Sequence, residues 1–192
     1  MSRILHAAHF AAGKHAGQRR TNAAATPYVN HPLEVAHLLA TVGGVEDEDV
    51  LVSAFLHDTV EDTDATREEL AEVFGERVAG IVMECTDDTS LPKSERKRLQ
   101  VVHAPSRSPE ARQIKIADKT SNLRAILVDP PADWSLTRQR EYFEWADRVV
   151  EGLLGENPAL DRAVRTVLAE GLAALRSEDD GGDGDGGHGG SR

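Results

Sequence analysis

Apolar residues recur every three to four positions through most of this chain, and the alternation typical of strands is nearly absent. Helix start and stop signals bound the periodic stretches: Thr66 and Glu69 form a capping box, Pro109 opens a segment that runs to about Val128, and Pro130-Pro131 ends it. The sequence therefore predicts an all-α fold, a single helical bundle. Helices are expected at about 4–17, 32–42, 47–62, 66–74, 76–85, from 94, 109–128, 135–154 and 158–175.

The last sixteen residues differ from the rest. Residues 177–192 are rich in Gly and Asp, contain no apolar residue, and carry five acids against one arginine. Such a segment cannot bury enough apolar surface to fold, so we expect it to be disordered. His188 and its acidic neighbours are weak metal candidates, and a solubilising role is the better explanation. We predict a single domain over 1–176 followed by this acidic tail.

The formal net charge of −11 argues against DNA or RNA as a partner, because nucleic-acid-binding proteins normally show a basic surface. No apolar run approaches the roughly 20 residues that span a bilayer, and the first residues lack a signal-peptide core. The single cysteine, Cys85, fits a reducing compartment and a core position. We expect a cytoplasmic protein with no membrane contact; the oligomeric state stays open, with a homodimer as one option.

Ionisable groups are concentrated in the run from His57 to Asp62, directly after the apolar residues 50–56. In a helix, His57 and Glu61 are one turn apart, as are Asp58 and Asp62, so the four side chains share one face. An imidazole beside a carboxylate suits a divalent cation, and the carboxylates one turn on suit a base. Neighbouring residues on a straight helix diverge by about 100°, so His57 and Asp58 need a kink to reach one ion. The alternative is a solvated acidic helix end.

Two other places offer companion ligands. His31 precedes Pro32, which disfavours helical geometry before it and places His31 at a turn-to-helix junction. Asp118 lies on a predicted helix with an apolar opposite face, and Asn122 is one turn beyond it. A capping histidine and an exposed polar face are the respective alternatives, which become less favoured once the His57-Asp58 pair is considered.

Basic groups in so acidic a chain suggest an anionic ligand. Arg19-Arg20 precedes the His31 turn, and four cations fall within Lys93–Arg98. Arginine pairs bidentately with phosphate and lysine supplies a point charge. Tyr142 can stack on a base or hydrogen-bond a phosphate, whereas the nearby Phe143 and Trp145 read as core. Three further cations flank Asp118 and are candidates for the same basic wall: Lys115, Lys119 and Arg124.

The order His31, His57-Asp58, Asp118 resembles the metal set of HD domains, in which a first His, a His-Asp pair and a later Asp hold one ion. Longer strings narrow the resemblance to the small alarmone hydrolases, relatives of the hydrolase half of Rel/Spo enzymes, and among them to the form also found in animals. It covers residues 4–172. The strings are Phe10–His15, Gln18–Arg20, Thr26–Pro32, Leu56–Thr63, Phe74-Gly75, Thr86–Asp88, Ala117–Lys119, Asn122-Leu123 and Glu141–Trp145.

The resemblance implies a hydrolase-only enzyme that uses Mn²⁺ to remove the 3′-pyrophosphate of guanosine tetra- or pentaphosphate (ppGpp or pppGpp), giving GDP or GTP. Other divalent metals are compatible with the same mixed nitrogen and oxygen ligands. Carried over by position, it assigns three sets of residues. They are His31, His57, Asp58 and Asp118 for the metal; Glu61 and Asp62 for the water; and Arg20, Asn122 and Tyr142, with Lys93 and Lys97 as further phosphate contacts, for the nucleotide.

Two departures from the relatives concern the substrate rather than the chemistry. Thr21 stands where many relatives have a basic residue, and Thr120-Ser121 replaces a bulky pair. Two alternative functions follow. The same site would serve as an NADPH 2′-phosphatase or another nucleotide phosphohydrolase, or the chain would be a non-catalytic nucleotide-binding protein. Release of pyrophosphate would indicate alarmone hydrolysis, and release of orthophosphate would indicate NADPH phosphatase activity. The intact Glu61-Asp62 pair counts against a non-catalytic protein.

Overall fold

The computed structural model describes residues 2–181, with side chains as far as Arg176. Within that range there are helices and no strands, which confirms the all-α prediction. In chain order the α-helices are α1 Arg3–Lys14, α2 Asn30–Thr41, α3 Glu48–Leu56, α4 Thr59–Asp62, α5 Arg67–Phe74, α6 Glu76–Cys85, α7 Lys93–His103, α8 Pro109–Val128, α9 Leu136–Leu153 and α10 Pro158–Gly181. A single turn of 3-10 helix, Ala104–Ser106, joins α7 to α8.

Side-chain caps start five of the helices. Asp47, Thr66, Ser108, Ser135 and Asn157 each accept a hydrogen bond from a backbone N–H two or three residues further on. These bonds satisfy donors that a helix leaves unpaired in its first turn. The polar signals read from the sequence therefore have the expected physical role.

Two boundaries differ from the prediction in ways that affect the site. α2 begins at Asn30 rather than Pro32, because the N–H groups of Asn30 and His31 already bond to the carbonyls of Pro27 and Tyr28. His31 thus lies inside the first turn, where the missing N–H of Pro32 costs nothing. The predicted third helix is interrupted after Leu56 and resumes as α4.

The C-terminal helix also runs further than expected. α10 continues to Gly181, whereas the sequence placed its end near residue 175. The remaining part of the predicted tail, 182–192 with His188, lies outside the described residues. No helix within 2–181 combines the length and apolar character needed to cross a membrane.

α8 is the central helix of the bundle. It packs against α2, α6, α9 and α10, so residues around its whole circumference are buried. Its apolar contribution includes Ile114, Ile116 and Leu123, all fully buried. Polar residues on such a helix must find partners inside the protein, because an unpaired buried polar group costs several kcal/mol. Cys85 at the end of α6 is buried as predicted, and burial raises the pKa of its thiol to about 12.

Candidate metal centre and active site

The chain brings the four predicted metal ligands together from three places: the first turn of α2, the break between α3 and α4, and the middle of α8. Asp58 has φ −102° and ψ −4°, so the helical path stops there and restarts at Thr59. Thr59 donates its hydroxyl to the carbonyl of Leu56 and thereby occupies a helix-end acceptor. The expected kink is therefore present, and it turns the adjacent side chains of His57 and Asp58 toward one point.

Four donor atoms converge at this point. His57 Nε2 lies 3.2 Å from Asp58 Oδ2 and 4.0 Å from Asp118 Oδ1. His31 Nε2 lies 3.1 Å from Asp118 Oδ1 and 3.6 Å from Asp58 Oδ2. Ligand atoms of His31, His57 and Asp118 all fall within 4.8 Å of one another, and these residues are buried. Atoms this close can share one cation.

The protonation of the His57 ring also fits a metal ligand. Its Nδ1 lies 2.8 Å from the carbonyl oxygen of Ala54, which only accepts, so Nδ1 carries a proton, and in the neutral ring Nε2 is the nitrogen with the lone pair that a metal requires. Nε2 is buried and, although Asp58 Oδ2 lies 3.2 Å away, makes no hydrogen bond of acceptable geometry in the described structure. Two imidazoles and two carboxylates form a mixed set suited to Mn²⁺, Fe²⁺, Co²⁺ or Zn²⁺. The residues present therefore fit a divalent ion.

The electrostatics of this cluster show that it needs positive charge. Burial alone would lower the pKa of His57, but the negative charges of Asp58 and Asp118 outweigh it and raise the pKa to about 9. Burial opposes ionisation of Asp58, yet the neighbouring histidines hold the pKa of that carboxyl well below its usual range. The buried carboxylate of Asp118 and the partly buried one of Asp58 require compensation, which a protonated imidazole or a divalent ion can supply.

The predicted acid–base pair lies just beyond these ligands on α4. Burial raises the pKa of Glu61, although the N–H of Asp87 donates to its Oε2 at 2.9 Å. Burial of Asp62 raises the pKa of its carboxyl, and the negative charge of Asp58 adds a smaller contribution in the same direction. Both carboxyl groups are thus shifted toward the neutral range in which a general base is most effective.

A cavity of about 380 Å³ opens beside His31 and is lined by three of the predicted nucleotide contacts, Arg20, Asn122 and Tyr142. Arg20 donates to Asn122 Oδ1 at 3.0 Å, and Asn122 in turn donates to Asp118 Oδ1 at 2.6 Å. The cavity is therefore connected to Asp118, a predicted metal ligand, by a continuous hydrogen-bonded chain.

Two loops form the rim of this cavity: the segment 15–29 between α1 and α2, and 129–135 between α8 and α9. They are joined by the side chain of Asn22, which donates to Asp129 Oδ2 at 2.7 Å, and by a backbone bridge from Asn22 to Pro131. Thr21 lies on this rim, exposed to solvent.

Lys93 and Lys97 line a second cavity, also of about 380 Å³, which shares Tyr142 with the first. The Lys97 ammonium lies 5.5 Å from the centroid of the Tyr142 ring and 4.6 Å from that of Trp145. Tyr142 thus stands between the two cavities. Trp145 and Phe143 are buried, which confirms their core positions.

The candidate basic wall around Asp118 is not formed. Lys115 is buried and donates to the carbonyl of Cys85 at 2.6 Å. Lys119 is also buried and pairs with Asp118 Oδ2 at 2.9 Å. Arg124 lines a separate surface groove with residues of α10. Lys115 and Lys119 are one turn apart on the same face, but that face is buried in the bundle and each lysine finds its own partner there, whereas Arg124 lies on the opposite side of the helix.

Several residues that the sequence did not single out contact the site. The Tyr28 hydroxyl donates to Asp58 Oδ2 at 2.7 Å, and Arg96 pairs with Glu61 Oε1 at 3.2 Å. Tyr28 precedes His31 by three residues and Arg96 lies within the basic run, so spacing offered a signal for both. Ser121 on α8 contacts His31 Nδ1 and donates to Glu34, which lies on α2 with His31 and 87 residues before Ser121 in sequence.

Comparison with known proteins agrees with this geometry. Residues 7–143 match the HD domain family. The guanosine-3′,5′-bis(diphosphate) 3′-pyrophosphohydrolase MESH1 of Xenopus tropicalis is 54% identical over 82% of this chain and 88% of its own length. MESH1 of Homo sapiens is 51% identical over 88% of this chain and 94% of its own length.

A solved structure shows the same arrangement of helices. It is described as a metazoan ortholog of SpoT that hydrolyzes ppGpp and plays a role in starvation responses. The two structures superpose with a TM-score of 0.87 and 43% identity, covering 90% of this chain and 97% of the other. The chain therefore belongs to the HD domain family, as a relative of the MESH1 pyrophosphohydrolases.

Proposed function

We propose that this chain hydrolyses the 3′-pyrophosphate of guanosine tetraphosphate and pentaphosphate, giving GDP or GTP and pyrophosphate, with Mn²⁺ as the metal. The observation that carries the proposal is the convergence of His31, His57, Asp58 and Asp118, with a buried His57 Nε2 that makes no hydrogen bond. Relatives about 50% identical over nearly the whole chain bear the name of this activity.

The metal set is proposed for a single ion. A divalent cation there would lower the pKa of bound water and offset charge on the departing diphosphate. Tyr28 and Asn122 hold Asp58 and Asp118 from the cavity side by hydrogen bonds of 2.7 and 2.6 Å. These contacts limit rotation of the carboxylates and keep their oxygens directed at the imidazoles.

Glu61 and Asp62 are proposed to orient the attacking water and accept its proton. Their raised pKa values favour proton acceptance near neutral pH. Glu61 is fixed by two partners, the N–H of Asp87 and the guanidinium of Arg96, so its carboxylate has a defined position. Arg96 is available to exchange this contact for a substrate phosphate because it lies at the basic start of α7.

The nucleotide is proposed to occupy the cavity beside His31. A volume of about 380 Å³ is within the range of small-molecule sites, and Arg20 and Tyr142 offer a guanidinium and an aromatic ring. Lys93 and Lys97 are proposed to contact phosphates from the second cavity. Burial lowers the pKa of Lys97, and the negative charge of a phosphate beside it would oppose that shift.

A product assay tests the proposal. The purified full chain, stripped with chelator and reloaded with Mn²⁺, would be incubated with guanosine tetraphosphate. We expect GDP by anion-exchange separation and orthophosphate only after added pyrophosphatase. Asp58→Ala should lose both Mn²⁺ binding and turnover, since it removes a charged metal ligand. Asp147→Ala, which changes an acid on α9, is the matched control and should retain both.

Other outcomes assign the site differently. Orthophosphate released directly from NADPH, with no turnover of guanosine tetraphosphate, would replace the proposed substrate while keeping the metal set. Nucleotide binding without turnover of either substrate would identify a binding protein. Unchanged Mn²⁺ affinity in Asp58→Ala would remove that residue from the metal set.

A further inference from the structure

His31 is joined to a second layer of side chains that none of the assigned roles uses. The hydroxyl of Ser121 on α8 lies 3.1 Å from His31 Nδ1 and 2.8 Å from Glu34 Oε2 on α2. Ser121 is 1% exposed and His31 3%, whereas Glu34 is half-buried and reaches the cavity wall. Ser121 is also where the sequence departs from the bulky pair of its relatives.

The protons in this chain of three groups can be placed by elimination. A carboxylate only accepts hydrogen bonds, so Ser121 must donate its single hydroxyl proton to Glu34. The serine oxygen is then available to His31 only as an acceptor, and His31 Nδ1 must carry the proton. In the neutral ring Nε2 is then the nitrogen with the lone pair, and it faces the carboxylate of Asp118, whose Oδ1 lies 3.1 Å away, so it is the nitrogen that would bind the ion.

The two histidines of the metal set are therefore oriented in different ways. His57 donates Nδ1–H to a main-chain carbonyl, that of Ala54, which no side-chain substitution removes. His31 donates to a side chain whose own proton is committed to Glu34. The orientation of one ligand is fixed by the backbone, and that of the other depends on two replaceable residues.

We propose that Ser121 and Glu34 are positioning residues that hold His31 in the tautomer and ring orientation required of a metal ligand. This inference rests on the proposed function, because it takes His31 to be a ligand. Without the Ser121 hydroxyl, His31 Nδ1 would have no acceptor and the ring would be free to place either nitrogen toward the ion. Loss of such an outer contact typically weakens metal binding by about 10- to 100-fold.

Calorimetric titration of the chelator-stripped full chain with Mn²⁺ tests the proposal. We expect Ser121→Ala to raise the Kd for Mn²⁺ by about 10-fold or more, with the melting temperature of the metal-free protein and the KM of the loaded enzyme nearly unchanged. Thr120→Val is the matched control. It removes a buried hydroxyl from the neighbouring residue, but that hydroxyl bonds only to the carbonyl of Ile116, so its Kd should equal that of the wild type.

Glu34 supplies the second part of the test. Glu34→Gln keeps an oxygen that accepts from Ser121, so its Mn²⁺ affinity should stay close to that of the wild type. Glu34→Ala should weaken binding, and the double variant Ser121→Ala with Glu34→Ala should bind no more weakly than Ser121→Ala alone. Such non-additivity is expected only if Glu34 acts through Ser121.

The possible failures are separable. If the wild-type chain does not bind Mn²⁺, the proposed metal set is wrong and the inference falls with it. If the wild type binds and Ser121→Ala binds equally well, the positioning role is wrong while the metal set stands. Strictly additive effects of the two alanine variants would also overturn it.

Discussion

Arg20 is the residue through which a nucleotide bound in the proposed site would affect the predicted metal ligands. It donates to Asn122 and lies 5.9 Å from the centroid of the Tyr28 ring; these two residues donate to Asp118 and Asp58 respectively. One guanidinium therefore touches both of the side chains that hold the carboxylates in place. A phosphate bound to Arg20 would be coupled to the metal set through two short chains of contacts.

Arg20→Ala is predicted to raise KM for guanosine tetraphosphate by about 10- to 100-fold, since hydrogen bonds to charged groups contribute about 1.5–3 kcal/mol. The kcat should change much less, because the lost contact is made in the ground state as well as the transition state. Steady-state kinetics at saturating Mn²⁺ measure both. Arg162→Ala on the exposed face of α10 is the control, and an unchanged KM in Arg20→Ala would remove that residue from the site.

The carboxylates of α4 should separate catalysis from binding. The pair Glu61→Gln with Asp62→Asn keeps size and polarity but removes the base, so kcat is expected to fall by about 10²- to 10⁴-fold. The Kd for Mn²⁺ should remain that of the wild type, because neither residue belongs to the proposed ligand set. Glu72→Gln, an exposed acid on α5, controls for loss of negative charge. Retained turnover in the double variant would assign the base elsewhere.

At the scale of the elements, α10 packs closely against α9 at Gly171, which has no side chain. A Cβ added at Gly171 would lie 2.0 Å from Cε1 and 2.6 Å from Cζ of Phe143, and Phe143 is itself fully buried. Glycine is required here by close approach rather than by backbone angle. In contrast, a Cβ at Gly80 in α6 would meet no atom within 4 Å.

These two glycines form a matched pair for a stability measurement. Gly171→Ala should destabilise the protein by about 1–3 kcal/mol, because the ring of Phe143 or the whole helix must move. Gly80→Ala should stabilise it by about 0.5–1 kcal/mol, because alanine loses less backbone entropy in a helix. Urea unfolding measures both free energies. Equal effects of the same sign would show that α10 does not pack on Phe143 as described.

The helix boundaries were predictable where a cap or a proline marks them. They were less predictable where hydrogen bonds to residues outside the helix set the boundary. α8 and α9 begin at or next to Pro109 and Ser135, as the sequence indicated. The early start of α2 depends on turn carbonyls at Pro27 and Tyr28, which local propensity does not encode. The break at His57-Asp58 could be inferred only from the chemistry required of those residues, since adjacent side chains on a straight helix diverge.

The candidate site, too, was predictable only in part. Residue types and order suggested the metal and base residues, and the structure brings them together. Contacts between distant segments were not visible: Ser121 meets Glu34 across 87 positions, and Lys119 turns inward to Asp118 rather than outward. Which partner a buried polar side chain finds depends on how α2 and α8 pack, and single-helix periodicity carries no information about that.

At the scale of the whole molecule, an ion network ties the start of α3 to α6 and α8. Arg77 on α6 contacts Asp47 at 2.7 Å, Asp49 at 2.9 Å and Glu110 at 3.0 Å. The hydrogen bond from Arg77 lowers the pKa of Asp47; for Asp49, burial opposes the shift, but Arg77 and Arg3 outweigh it and lower the pKa. Both aspartates are thus more acidic in the folded chain than in the unfolded one.

The sign of the resulting pH dependence follows directly. A carboxyl with a lowered folded pKa stabilises the protein above its unfolded pKa, near 3.9, and loses that contribution as pH falls through the folded value. Arg77→Met should therefore lower Tm at pH 7 by about 2–4 °C, because screening limits this partly exposed network to about 1 kcal/mol. The difference from wild type should shrink as pH falls below 4. Arg162→Met is the control, and a difference independent of pH would assign the loss to packing.

The walls of the cavity beside His31 are formed by two kinds of element, a buried helix and surface loops, and this difference affects how the protein can evolve. The floor, with Asn122, Ala125 and Ile126, belongs to the same helix as Asp118, which is packed on all sides and tolerates few substitutions. The rim belongs to two surface loops joined at Asn22 and Asp129, and loops accept replacement readily. Selection can therefore act on Thr21 and its loop neighbours to alter which nucleotide is accepted while the hydrolytic floor is inherited intact, so that new substrate preferences arise on an unchanged reaction.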